Sequence, residues 1–214
     1  MTAEPIIEVS DEALDHLRRA DDVMAGLIEL HGPLDLEERP GRPADAYGAL
    51  LRSIVGQQLS VAAARSIYNR LIELFGGETP TPETLLAADP NALRAAGLSG
   101  SKVKYLRSLA EHVLAGDLHL DSLNEMSDDQ VIAELTVVKG VGLWSAHMFL
   151  LFFLKRPDVL PVGDLGVRRA VERAYGLEGL PDAETLERLG ERWAPYRSLA
   201  SLYLWESLDN APAV

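Results

Sequence analysis

The 214-residue chain contains no cysteine. That absence removes disulfides, thiolate nucleophiles, cysteine-held structural zinc and cysteine-ligated iron–sulfur clusters, and it leaves the redox compartment open. Long apolar runs are also missing. The longest, Met148 to Leu154, is seven residues, against the roughly 20 that a membrane-spanning helix needs. The N-terminus, MTAEPIIEVSDEALDHL, has neither the basic start nor the apolar stretch of a signal peptide, so a cytoplasmic protein is expected. Alternating apolar and polar runs bounded by hairpin dipeptides do not occur, which argues against β structure. No internal repeat or low-complexity stretch stands out. Basic charge is scarce: 20 Lys and Arg against 33 Asp and Glu leave a net charge of −13. Taken alone, that balance argues against a partner as acidic as nucleic acid.

The composition is otherwise ordinary. With 47% hydrophobic and 25% charged residues, the chain can bury a core, and disorder, collagen and disulfide scaffolds are excluded. Its length admits one large domain or two small lobes. Helix punctuation recurs throughout. Ser10 caps a helix carrying Leu14, Leu17, Ala20 and Met24 on one face, and Ala44 to Val55 reads as a second helix stopping at Gly56. Ser60 caps the next, which ends at Gly76-Gly77. Thr81-Pro82 and Asp89-Pro90 each join an N-cap to a proline at the first helical position. Another helix runs from Ser101 to Gly116, Ser127 to Gln130 form a capping box, Asp182 precedes a further helix, and Pro195 separates that one from Tyr196 to Leu208. Nearly ten helices are expected, in an all-α protein of two packed lobes.

The acidic average hides one exception. Residues 131 to 175 carry 6 basic and 4 acidic groups, whereas 1 to 40 carry 3 and 11. Inside that basic stretch, a helix ending near Leu135 meets Lys139-Gly140-Val141-Gly142, and a second helix begins at about Leu143. The glycines free the turn of side chains, so a phosphate can approach the amides at the positive end of the second helix. A plain helical hairpin with a glycine cap would read the same way.

LTVVKGVGLWSA, followed twenty positions after Trp144 by Asp164 in LPVGDLGVRRA, resembles the helix-hairpin-helix, Gly/Pro-rich, aspartate (HhH-GPD) motif of base-excision DNA glycosylases. The likeness extends through YGALLRSIVGQQLSVAAA and WAPYRSLASLYLW and is greatest to the 3-methyladenine DNA glycosylase II branch. It implies two helical lobes with the active-site cleft between them: residues 1–41 with 156–214, and 42–155, the hairpin lying at about 135–146. The chain is too short and too helical to include the N-terminal β domain of larger bacterial relatives.

The resemblance also implies roles. Asp164 reads locally as an N-cap; in the family the matching aspartate also stabilises the positive charge that develops at C1′ as the glycosidic bond breaks. Trp144 and Trp205 read as core aromatics on their own, but matching positions line the pocket for a flipped cationic base. Met148 stands where some relatives carry Tyr, which leaves the substrate range open. Lys139, Gly140, Val141 and Gly142 would hold the DNA backbone, where the family sometimes adds a monovalent cation through carbonyl oxygens. Gln57, Gln58 and Leu59 resemble the loop that fills the gap left by the base, and either glutamine reads equally well as a cap of the preceding helix. Arg168 and Arg169 are candidates for phosphate contacts, and His147 for a structural role. Strand-cleaving relatives place a Schiff-base Lys where Trp144 stands; Lys139, Lys102 and Lys104 do not match that position. The expectation is therefore a cofactor-free, monofunctional glycosylase acting as a monomer on alkylated purines in double-stranded chromosomal DNA. The alternatives are a glycosylase for another damaged base or a non-catalytic DNA-binding protein.

Overall fold

The computed structural model describes residues 7, 9–34, 36 and 45–208. Among these residues there is no strand. The helices are α1 (Asp11–Ala20), α2 (Asp22–His31), α3 (Ala46–Gly56), α4 (Val61–Leu74), α5 (Pro82–Ala87), α6 (Pro90–Ala95), α7 (Gly100–Ala115), α8 (Asp128–Thr136), α9 (Leu143–Phe152), α10 (Leu165–Tyr175), α11 (Ala183–Gly190) and α12 (Arg197–Glu206). Short 3-10 turns occupy Leu120–Glu125 and Glu191–Trp193. No helix among the described residues is long and apolar enough to cross a membrane.

Caps decide where these helices start. Ser10, Ser60, Thr81, Asp89, Ser127, Asp164 and Asp182 each accept a backbone N–H two or three residues on, and Gln130 closes the capping box with Ser127. Each such cap stabilises its helix by about 1 kcal/mol. Three starts differ from expectation. The first helix breaks at Asp21, whose carboxylate caps α2 through Val23 and Met24, so Leu14 and Met24 belong to separate helices. Ser99 rather than Ser101 caps α7. The α3 start moves to Ala46 behind Asp45, while the expected first residue, Ala44, lies outside the described residues.

The chain divides into two compact units, one from the described residues of Met1–Pro40 and Leu150–Pro212, the other from those of Gly41–Phe149. The division after Phe149 falls inside α9, ahead of the break expected at 155/156; the run MFLLFFL has no shift in composition to mark it.

In the first unit α1 packs on α2, and α12 packs on both α2 and α10. Leu17, Met24, Ile28, Val171, Trp193 and Tyr203 are buried there. Asp21 is 5% exposed and fully committed. Besides its two cap bonds, its Oδ2 accepts from Tyr175 Oη at 2.5 Å and Trp193 Nε1 at 3.0 Å, with Arg192 at 3.7 Å. A buried carboxylate is tolerable only when satisfied in this way. The interaction with Asp21 adds to burial in pushing the Tyr175 hydroxyl well above its usual range. In the second unit α7 packs on α3, α5 and α6, and its Val103, Leu106 and Leu109 are buried.

Candidate active site

The helical hairpin belongs to the Gly41–Phe149 unit. α8 ends at Thr136, and Val138 N and Val141 N donate to Leu135 O and Val138 O, closing two tight turns before α9. Gly140 is the residue that must be glycine: its φ is +86°, and a Cβ there would collide with the Tyr105 ring. Gly142 has no positive φ and nothing within 4 Å of an added Cβ, so its surface is open. Gly140, Gly142 and Lys139 are exposed, whereas Val141 turns inward and is 5% exposed. Of the four hairpin residues expected at the DNA backbone, Val141 is thus an anchor in the core, its amide spent inside the turn.

Two further elements seat the hairpin. From α7, Ser108 Oγ accepts from Lys139 N at 3.2 Å, beside Tyr105 against Gly140. From the loop after α3, Gln57 Nε2 donates to Gly140 O at 2.9 Å and to Ser145 Oγ at 3.2 Å. The amide of Gln57 is therefore occupied in bracing the turn. Its neighbour Gln58 is exposed and held at φ +58°, a left-handed conformation uncommon for a residue with a side chain. Leu59, next in the loop, is partly buried. Trp144 in the first turn of α9 is partly exposed, and Met148 one turn on is 1% exposed. His147 Nδ1 is buried without a hydrogen-bond partner, and burial lowers the ring's pKa, which favours the neutral form.

The other unit holds Asp164. The segment leading to it is fastened to the start of α12: Arg197 makes a two-pronged ion pair with Asp158 at 2.7 and 2.8 Å, and Ser198 Oγ accepts from Val159 N. A turn closed by Asp164 N to Pro161 O then delivers the carboxylate to the head of α10. Its Oδ1 accepts from Val167 N at 2.8 Å and from Trp205 Nε1, near the end of α12, at 2.8 Å. Asp164 is 7% exposed and Trp205 2%, with the indole stacked on Phe152 at 5.7 Å. Arg168 turns away, its Nε donating to Pro181 O, while Arg169 stays exposed.

Sequence reasoning missed the supports: Tyr105, Ser108, Ser145, Ser198 and Gly166. Only Gly166 carried a signal, as a glycine in the first turn of a helix, where it costs stability unless space is short. The remainder act across 31 to 88 residues of chain.

Residues 51–195 match the family described as HhH-GPD superfamily base excision DNA repair protein. The chain is 32% identical over 209 residues to "DNA-3-methyladenine glycosylase 1" of Schizosaccharomyces pombe, covering 95% of this chain and 90% of the relative. Its fold is similar to that of a 3-methyladenine DNA glycosylase of the same yeast solved in complex with abasic DNA, with a TM-score of 0.82 and 32% identity over 94% of this chain and 98% of the other. A DNA-3-methyladenine glycosidase of Bacillus halodurans gives 0.80 at 38% identity, over 93% and 90%.

Proposed function

Since this chain belongs to the HhH-GPD superfamily of base excision DNA repair proteins, we propose that it is a monofunctional DNA glycosylase. On this reading it hydrolyses the N-glycosidic bond of alkylated purines, of the 3-methyladenine and 7-methylguanine type, in double-stranded DNA. It acts as a monomer on the chromosome, and the product is an abasic site in an intact strand.

The observation that carries the reading is Asp164. Oδ1 is held by two N–H donors, so the carboxylate is fixed before any substrate arrives. As the C1′–N bond of an alkylated purine breaks, the base takes the bonding pair and leaves neutral, and positive charge develops on the sugar. A fixed carboxylate stabilises that charge without reorganising. Water then forms the bond to C1′ and releases its proton to solvent. Gln58 supplies the group that fills the gap left by the extruded base, and the partly exposed Trp144 offers an electron-rich face to a cationic ring. The exposed hairpin turn supports a grip on the strand, since the amides at the head of α9 carry the positive end of a helix dipole.

None of these steps calls for an organic cofactor. The hairpin's donor set is neutral carbonyl oxygen, which suits a hard monovalent cation better than a transition metal. Such an ion, held by carbonyls of the turn between α8 and α9, would add positive charge beside a phosphate.

The test is release of methylated purines from DNA treated with a methylating agent. Wild-type protein should release them, and Asp164→Asn, which keeps the cap, should do so about 100-fold more slowly in single turnover. No release by the wild type, or undiminished release by a folded Asp164→Asn variant, would overturn the reading.

A further inference from the structure

Asp164 and Trp205 meet across 41 residues of chain, and the contact is built with unusual economy of space. The indole N–H donates to the same Oδ1 that caps α10, at the same 2.8 Å. Gly166, two residues beyond Asp164, makes room for this. A Cβ at Gly166 would lie 3.0 Å from Asp164 Oδ1 and from both Cδ1 and Nε1 of Trp205. The indole edge therefore lies over the first turn of α10, where a methyl group at position 166 would press on both the ring and the carboxylate and displace them by a few tenths of an ångström. One flank of the ring is stacked on Phe152, and 2% exposure leaves little of Trp205 open to a base. At the far end of α12, Arg197 and Ser198 hold Asp158 and Val159, so one helix fixes both the approach to Asp164 and the carboxylate itself.

We propose that Trp205 is a positioning residue that aims the Asp164 carboxylate through its indole N–H, with Gly166 as the residue that permits the contact, rather than a wall against which the base stacks. The proposal rests on the glycosylase reading. A cap bond alone lets a carboxylate swing about its Cβ–Cγ bond; a second donor on the same oxygen, fixed on another helix, removes that freedom. The carboxylate then keeps one orientation, and a small misplacement of a reacting group is costly in rate.

A double-mutant cycle on single-turnover release of methylated purines separates the two roles. Trp205→Phe keeps an aromatic ring beside Phe152 and removes the N–H. It should slow release by about 10-fold beside Asp164 but by less than about threefold in the Asp164→Asn background, because there is little alignment left to lose. Gly166→Ala should reproduce the first effect with every polar atom present. The indole N–H resonance of Trp205, one of three tryptophans, gives a reading independent of catalysis. In the 15N-labelled protein it should move upfield in both Gly166→Ala and Asp164→Asn.

Equal slowing by Trp205→Phe in the two backgrounds would show that Trp205 acts on the base directly, and an indole resonance unmoved in Asp164→Asn would show that the contact does not exist in solution. Either result overturns this inference while leaving the glycosylase reading intact. Absence of release by the wild type overturns the glycosylase reading instead, and the resonance still reports on the contact.

Discussion

At the residue scale, the question of strand cleavage comes down to four lysines: 102, 104, 139 and 155. Lys102 is the one whose environment resembles that of a nucleophile, since partial burial lowers its pKa. Its amine is nevertheless occupied. Nζ donates to Val55 O at 2.7 Å, satisfying a carbonyl in the last turn of α3. By the resemblance read from the sequence, Trp144 stands at the position where strand-cleaving relatives carry lysine. Borohydride added during turnover should therefore trap no protein–DNA adduct. Lys102→Met should lower the unfolding free energy by about 1 kcal/mol through the lost bond, with release of methylated purines unchanged. An adduct abolished by changing any one of the four lysines would contradict this. Asp164 shows how far a single residue can be read from sequence. Its capping role was legible because a cap bond spans three residues, whereas its second donor arrives from Trp205, 41 residues away, and no local pattern encodes that.

At the scale of elements, the hairpin separates two glycines that look alike in the string KGVG. Gly140 is needed for the fold: Gly140→Ala places a methyl group into Tyr105 at a positive φ and should cost about 2 kcal/mol or more in a urea melt. Gly142 is open, and on the proposed function that openness gives access to the strand. Gly142→Ala should change stability by less than about 0.5 kcal/mol, because nothing lies within 4 Å of its added Cβ. The same open surface is where a phosphate would approach, so Gly142→Asp should remain folded and lose DNA binding, as read by fluorescence anisotropy. Normal binding by a folded Gly142→Asp protein would remove the hairpin from the account. Helix starts were largely legible, since Ser, Thr and Asp declare themselves by short-range bonds. The break at Asp21 was not. Leu14, Leu17, Ala20 and Met24 keep a helical spacing across it, and the carboxylate that interrupts the chain is held by Tyr175 and Trp193 from distant elements. Likewise the sequence left both glutamines open between gap filling and capping; the structure has Gln57 bracing the turn while Gln58 is the more exposed of the two. Identical side chains were sorted by backbone angles that the string does not display.

At the scale of the whole molecule, a net charge of −13 confronts a polyanionic substrate. On the proposed function, binding relies on a few local contacts from the one net-basic stretch and on helix-end amides rather than on a broad cationic surface. The affinity for abasic DNA should then fall with salt along a shallow log–log slope of about −3, corresponding to about three neutralised phosphates. A slope several times steeper would point to a wide electrostatic footprint that this charge distribution does not provide. The helical class, the hairpin, the capping role of Asp164 and the family resemblance were legible in the sequence alone, because caps, glycine turns and motif strings are each written in short contiguous stretches. The tertiary structure alone decided which side chains support them. Asp164 receives its second donor from α12, Gly140 its steric constraint from α7, and its carbonyl a brace from Gln57. The division of the chain inside an apolar run was also decided there. Such pairings form when packing brings distant segments within about 3 Å, and a linear pattern of hydrophobicity and caps records which face of a helix is buried but not what it is buried against.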